Sequence, residues 1–246
     1  MTLRSTSTGF GLEEKLWERI RSEIEELAGM GCYERVSEAI SLYMASKLRL
    51  MAAALLGIGR KPPKRIVDVG CGPGTSTVIL RSLYPEAEII AIDPAVGNVL
   101  HTKSRVASPS ACVLGVFESI PLQDSSVDGV IAMFSFRDVT NYLRALDEAK
   151  RVLKPDGRLV ILDLYRPERP LESILTAVQF RVFAPSVGLA MGCGRMGLRF
   201  ADIYPTVLHM LTPSQLVEEA RKRFHKAAFF RTPTVVGVLL AEGPRP

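Results

Sequence analysis

The feature that most constrains this chain is the run Asp68-Val69-Gly70-Cys71-Gly72-Pro73-Gly74, which follows an apolar strand candidate, Arg65 to Val69, and precedes a helical stretch from Thr75. Three glycines at alternate positions remove the side chains that would hold a ligand off the backbone, and they allow the positive φ angles of a tight strand-to-helix turn. Strand, glycine turn and helix in that order build the ligand-binding edge of a parallel α/β sheet. A dinucleotide fingerprint would need glycine where Thr75 stands, and Asp68 puts negative charge where a diphosphate is unwelcome. That carboxylate suits a cationic amine instead. Asp93 ends the second strand candidate, where an acid can accept both hydrogen bonds of a ribose diol. Glycines and acids together describe a site for an adenosyl amino acid. The plainer alternative has Asp68 capping a turn and Asp93 merely ending a strand.

Around this loop the pattern is that of a sheet wrapped by helices. Strand candidates are Arg65 to Val69, Glu88 to Asp93, Ala111 to Val116, Val127 to Phe134 and Arg158 to Tyr165, with helices over Thr75 to Leu83, Ala95 to Val106 and Val139 to Leu153. Thr212 and Gln215 form a capping box with Pro213 at the first helical position, opening a helix to about Phe224. The runs Ala227 to Arg231 and Val235 to Ala241 pair as a closing hairpin. The expected fold is therefore α/β: a doubly wound, mostly parallel seven-stranded sheet, Rossmann-like, spanning 61–246. Residues 1–60 form N-terminal helices, one over 12–28 and one over 34–56, that cover the active site. A helical lid insertion at 167–211 includes the greasy segment Leu171 to Gly192. Arg181 and Pro185 argue against that segment spanning a bilayer, which leaves a lid over an apolar ligand or a core-facing helix.

Composition narrows the class. The chain is 47% apolar and 23% charged, ample for a packed interior without a disulfide or metal staple. Cys32, Cys71, Cys112 and Cys193 form no C-x-x-C pair, and the N-terminus lacks the apolar run of a signal peptide, so a cytoplasmic location is expected. The net charge of +5 is spread along the chain, which predicts no nucleic-acid arm but leaves peripheral contact with an anionic membrane open. Scarce amides, two Asn and three Gln, suggest a hot-growing source.

Further motifs give the chain a family likeness. Asp68-x-Gly70-x-Gly72-x-Gly74, Ile120-Pro121-Leu122-Gln123-Asp124-Ser125-Ser126-Val127-Asp128 and Arg151-Val152-Leu153-Lys154-Pro155-Asp156-Gly157 resemble the successive motifs of class I methyltransferases that bind S-adenosylmethionine. Phe134-Ser135-Phe136-Arg137-Asp138-Val139-Thr140 resembles F-G-x-R-N-V-T of the quinone C-methyltransferases of ubiquinone and menaquinone biosynthesis, and Tyr33-Glu34-Arg35-Val36 resembles their Y-D-x-x-N segment. The resemblance implies S-adenosylmethionine as cofactor, S-adenosylhomocysteine as product, and an apolar or lipid acceptor such as demethylmenaquinone. It places Asp68, Gly70, Cys71, Gly72, Pro73 and Gly74 around the cofactor, with Asp93, Pro94 and Met133 beside them. Val116-Phe117 replaces the family's Asn/Asp-Ala, so Phe117 is expected to stack on the adenine.

Methyl transfer to a hydroquinone carbon is helped by loss of a phenolic proton. Arg137 is the candidate to stabilise the phenolate, Asp138 or His209 the candidate base, and Tyr33 and Tyr204 candidate substrate-cavity residues. A structural ion pair is the plainer reading of Arg137 and Asp138, and a structural histidine that of His209. No carboxylate cluster for a metal is expected after the fourth strand. A phospholipid or other small-molecule N/O-methyltransferase is the enzymatic alternative, and a non-catalytic adenosyl-binding module the alternative of another class.

Overall fold

The computed structural model describes residues 32–246 apart from residue 42, residues 107–110 and residues 233–234, so the helix expected over 12–28 lies outside the described residues. Two helices come first, α1 (Cys32–Ile40) and α2 (Ala45–Ala54). The single helix expected over 34–56 is thus two, broken where Tyr43 adopts φ 59°, a left-handed conformation that no α-helix continues. Next come β1 (Arg65–Val69), α3 (Thr75–Leu83), β2 (Glu88–Asp93), α4 (Val96–Arg105), β3 (Ala111–Leu114) and β4 (Val127–Met133). A single 3₁₀ turn at Phe136–Asp138 leads to α5 (Tyr142–Val152), whose N-cap Asn141 accepts a hydrogen bond from the Arg144 amide at 3.0 Å. The chain continues through β5 (Leu153–Leu164), the inserted segment, α9 (Pro213–Arg223), β6 (Phe224–Arg231) and β7 (Val236–Pro244). The Thr212–Gln215 capping box opens α9 as expected.

Seven strands lie in the order β3-β2-β1-β4-β5-β7-β6. All pairings are parallel except those of β7, which runs antiparallel to both β5 and β6. Period-two alternation distributes the core to the two faces: Val67, Val69, Val130 and Ala132 pack toward α5 and α9, while Ile66, Ile131 and Met133 pack toward α2 and α3. Strand order reverses between β1 and β4, and the turns leaving those strands open a crevice at their carboxyl ends.

The insertion consists of α6 (Pro170–Val178), a π turn (Gln179–Phe183), α7 (Ala184–Ala190), a 3₁₀ stretch (Gly194–Asp202) and α8 (Ile203–His209). From Pro170 to Ala190 it runs as one helix of 21 residues with mean hydropathy 1.3, long and apolar enough by length and composition to cross a membrane. Phe180, Ala184, Phe200 and Val207 build a third core with Cys32 and Val36 of α1. A disulfide joins Cys32 to Cys193, with Cα atoms 6.0 Å apart. No C-x-x-C spacing or other local pattern in the sequence announces this bond.

Candidate active site

The glycine loop is held at three points, each for its own reason. The Gly70 and Cys71 amides donate to the Ile92 carbonyl at 2.7 and 3.1 Å, fastening the loop to the end of β2. A Cβ on Gly70 (φ 71°) would lie 2.3 Å from that of Ser135, whose hydroxyl donates to the Val69 carbonyl at 2.7 Å. Gly74 (φ 90°) packs on Thr102 in the same way. Gly72 differs: at φ 54° its missing side chain faces open space, with nothing within 4 Å. That space belongs to a cavity of about 1050 Å³, counting its mouth, at the β1–β4 crevice.

One wall of the cavity is Gly70, Cys71, Gly72 and Pro73, continued by Thr75 and Ser76. Asp93, Pro94 and Asn98 form the second. The Asp93 carboxylate is oriented by the Gly72 amide on Oδ2 at 2.8 Å, and by the Ala95 amide at 2.9 Å and the Asn98 side chain at 3.0 Å on Oδ1. Val116 and Phe117 supply an apolar third wall, where Phe117 is buried edge-on against Phe136 with ring centroids 5.4 Å apart. Met133, Phe134 and Ser135 form the floor, and Phe134 holds φ 61°, an uncommon conformation for a bulky residue. Burial, with the charges of Asp68 and Asp93, pushes the Cys71 thiol well above its usual range, which makes it an inert wall residue.

Glu34 of α1 and Arg49 of α2 complete the enclosure from the N-terminal helices. Glu34 accepts hydrogen bonds from the Thr75 hydroxyl and from Arg105, the latter at 3.0 Å. Burial works to raise its pKa, but these bonds outweigh it and hold the carboxyl below the ordinary value. The Arg49 guanidinium stacks 4.8 Å from the centre of the Phe134 ring.

Asp138 reaches the cavity from the turn after β4. Its Oδ2 lies 3.4 Å from Arg137 Nη2, and its buried Oδ1 has no hydrogen-bond partner. Burial pushes its pKa up to about 7, with Asp163 adding to the shift and Arg137 opposing it.

Several residues singled out from the sequence stand elsewhere. Asp68 lies behind the loop, because its position on β1 points it under α3, where the Thr77 hydroxyl donates to Oδ2 at 2.6 Å. Its Oδ1 is buried without a partner, and burial raises its pKa to about 7, with Thr77 opposing and Asp93 adding. Asp68 therefore does not line the cavity in which a cofactor amine is expected. Gly74 is likewise a packing position. Arg137 is turned away from the cavity: it donates to the Phe134 carbonyl at 2.7 Å and pairs with Asp163 at 3.0 Å. His209 is exposed, with Nδ1 2.8 Å from the Pro205 carbonyl oxygen, and Tyr204 sits beneath the Arg181 guanidinium. Neither lines the cavity, nor does any other described residue of 167–211; the insertion packs on α1. The side chain of Tyr33 lies outside the described residues. Among the described residues no group of His, Cys, Asp and Glu is placed to hold a metal.

The residues present fit S-adenosylmethionine: open space over Gly72, an oriented carboxylate at the end of β2, and a buried aromatic at the third strand's end. A family model described as a methyltransferase domain matches residues 67–161. The chain is 27% identical over 198 residues to the demethylmenaquinone methyltransferase of Thermotoga maritima, covering 80% of this chain and 84% of that one. It is 31% identical over 166 residues to the ubiquinone/menaquinone biosynthesis C-methyltransferase of Syntrophotalea carbinolica, covering 63% and 66%. A demethylmenaquinone methyltransferase of Staphylococcus aureus matches at 33% over 159 residues, 63% of this chain and 65% of the relative. Among solved structures, a SAM-dependent methyltransferase of Thermotoga maritima shares the fold with TM-score 0.62 at 20% identity, over 92% of this chain and 99% of that one. The plantazolicin methyltransferase BpumL, in complex with a substrate analogue and SAH, does so with TM-score 0.61 at 13% identity, over 93% and 99%.

Fold, cavity and relatives define an S-adenosylmethionine-dependent methyltransferase of class I. Within that class the chain is similar to the C-methyltransferases of ubiquinone and menaquinone biosynthesis.

Proposed function

We propose that the chain methylates a ring carbon of a polyprenylated hydroquinone of the demethylmenaquinol type. The observation that carries this reading is Asp138: a carboxyl on the cavity wall whose Oδ1 has no partner and whose pKa is raised to about 7. A base of that pKa suits removal of a phenolic proton near neutral pH. The relatives' names and the Phe134-Ser135-Phe136-Arg137-Asp138-Val139-Thr140 segment support the same acceptor class.

S-adenosylmethionine, when bound, supplies an electrophilic methyl group. The chain's own part is to orient, deprotonate and exclude water. Gly72 and Asp93 position the nucleoside side of the cavity, and Phe117 and Met133 keep it dry. The Asp138 carboxylate accepts the acceptor's hydroxyl proton, which loads the ring carbon with electron density; after methyl transfer that carbon loses its own hydrogen as a proton and the ring regains its aromaticity. Arg137 acts as a positioning residue, setting the height of Asp138 through its pairing with Asp163. Met-rich or tail-binding contacts are not needed for that step, but the apolar walls at Val116 and Val139 suit a fused ring.

A phospholipid amine is the rival acceptor, and the exposed apolar helix of the insertion would serve it too. A base at Asp138 would serve an amine as well as a phenol, so it is the relatives' names and the Phe134-Ser135-Phe136-Arg137-Asp138-Val139-Thr140 segment that favour the phenol. Lipid extracts incubated with the protein and methyl-labelled cofactor separate the two: label in the quinone fraction supports the proposal, and label confined to lipid amines rejects it.

A further inference from the structure

The Pro170–Ala190 helix carries Leu171, Ile174, Leu175, Val178, Val182 and Leu189 at 48% to 66% exposure. Their spacing keeps them on one face. The opposite face is built into the protein, with Thr176, Phe180, Ala184 and Gly188 buried. A Cβ on Gly188 would lie 2.7 Å from the Gly197 Cα, so helix and following 3₁₀ stretch touch backbone to backbone, and the Cys32–Cys193 bond ties the far end to α1. A helix fixed along one side in this way lies on a surface and does not cross it. Gln179 donates to the Ile40 carbonyl at 3.4 Å, a further tie between this helix and the end of α1.

An apolar face of this extent on a water-soluble surface marks an interaction site. Charge selects the partner. Between residues 169 and 202 the insertion carries four arginines, Arg169, Arg181, Arg195 and Arg199, against two acids, Glu172 and Asp202, which lie 3.9 Å from Arg169 and Arg199. A second copy of the chain meeting this face by two-fold symmetry would set one positive insertion against another. A negatively charged lipid surface matches both the apolar stripe and the arginines. We propose that this face docks on an anionic phospholipid bilayer, with the helix lying in the plane of the headgroups. The inference does not depend on which acceptor is methylated.

Flotation of the full chain with vesicles of phosphatidylglycerol and phosphatidylcholine tests it. The wild type should float with these vesicles, and the double variant Ile174→Glu, Val178→Glu should lose about tenfold or more in partitioning. Neither residue lines the cavity, so calorimetric affinity for S-adenosylmethionine should stay at the wild-type value and report an intact fold. A second variant, Arg169→Glu with Arg195→Glu, isolates the charge contribution and should also float less. Wild-type protein that stays at the bottom of the gradient overturns the proposal, as does a double variant that floats equally well. A wild-type dimer that the double variant dissociates would assign the face to a second copy instead.

Discussion

Arg137 and Asp163 form an ion pair at 3.0 Å with almost no exposure to solvent, and the Arg137 amide donates to the second oxygen of the same carboxylate at 2.9 Å. The pair fastens the turn after β4 to the end of β5, and Asp138 rides on that turn. Removing one partner leaves the other charge buried and uncompensated. Arg137→Ala should therefore cost about 3–5 kcal/mol of folding stability, read by urea or thermal unfolding. An unfolding curve matching the wild type would show that the pair does not support the turn.

Asp138→Asn separates chemistry from binding. Loss of a positioned base should lower kcat by about 10² to 10⁴ while leaving cofactor affinity nearly unchanged in calorimetry. For the wild type, kcat/KM should rise with pH and level off above about 7, the value to which burial raises this carboxyl. A variant with wild-type kcat would remove Asp138 from the mechanism.

The same raised carboxyls predict how stability varies with pH. Asp68 and Asp138 keep their protons to about 7 in the folded protein, whereas an unfolded chain releases them near ~4. Between those values the folded state binds more protons, so stability is full below the unfolded pKa and is lost as pH rises through the folded one. Melting temperature should fall from about pH 4 toward about pH 7 on account of these two groups. Asp138→Asn should flatten that decline, and an identical pH profile in the variant would contradict the assignment.

Cofactor recognition is tested at two walls. Asp93→Ala should weaken S-adenosylmethionine binding by about 2–4 kcal/mol, the scale for charge-assisted hydrogen bonds. Phe117→Ala should weaken it by about 1–3 kcal/mol through lost apolar contact. Calorimetry on both variants checks the pair; unchanged affinity at Asp93 would displace the ribose from the end of β2.

Much of this was readable from residues alone, for identifiable reasons. β1 and β2 coincide with their expected spans because each is a short apolar run closed by an acid or a glycine at the carboxyl edge. Asp93 and Gly72 follow from that edge. β5 begins earlier than expected, since Leu153 pairs with Val127 before a register shift that the strand pattern does not announce. Asp138 is next to Arg137 in sequence, yet only the fold shows that one faces the cavity and the other faces Asp163. Glu34, Arg49, Asn98 and Glu118 reach the wall from segments with no motif of their own, although Glu34 belongs to the Tyr33-Glu34-Arg35-Val36 segment. Cys32 and Cys193 are 161 residues apart, and spacing at that range carries no pairing information.

That disulfide yields a further expectation. Glu34, two residues after Cys32, bonds Thr75 and Arg105 at the cavity wall. Reduction, or Cys32→Ser, should lower stability by about 2–4 kcal/mol and weaken cofactor binding as α1 loosens. Calorimetry with and without reductant checks both effects; a wild type indifferent to reductant would contradict them.

The most direct test of the account compares one acceptor in two oxidation states. A short-tailed demethylnaphthoquinone is offered with methyl-labelled S-adenosylmethionine, once as the hydroquinone and once as the quinone, and the product is read by mass spectrometry. If Asp138 acts by taking a phenolic proton, label appears on the ring carbon of the hydroquinone, and the quinone, which has no such proton, stays unlabelled. Equal labelling of both forms, or none of either alongside labelled lipid amines, would contradict the account.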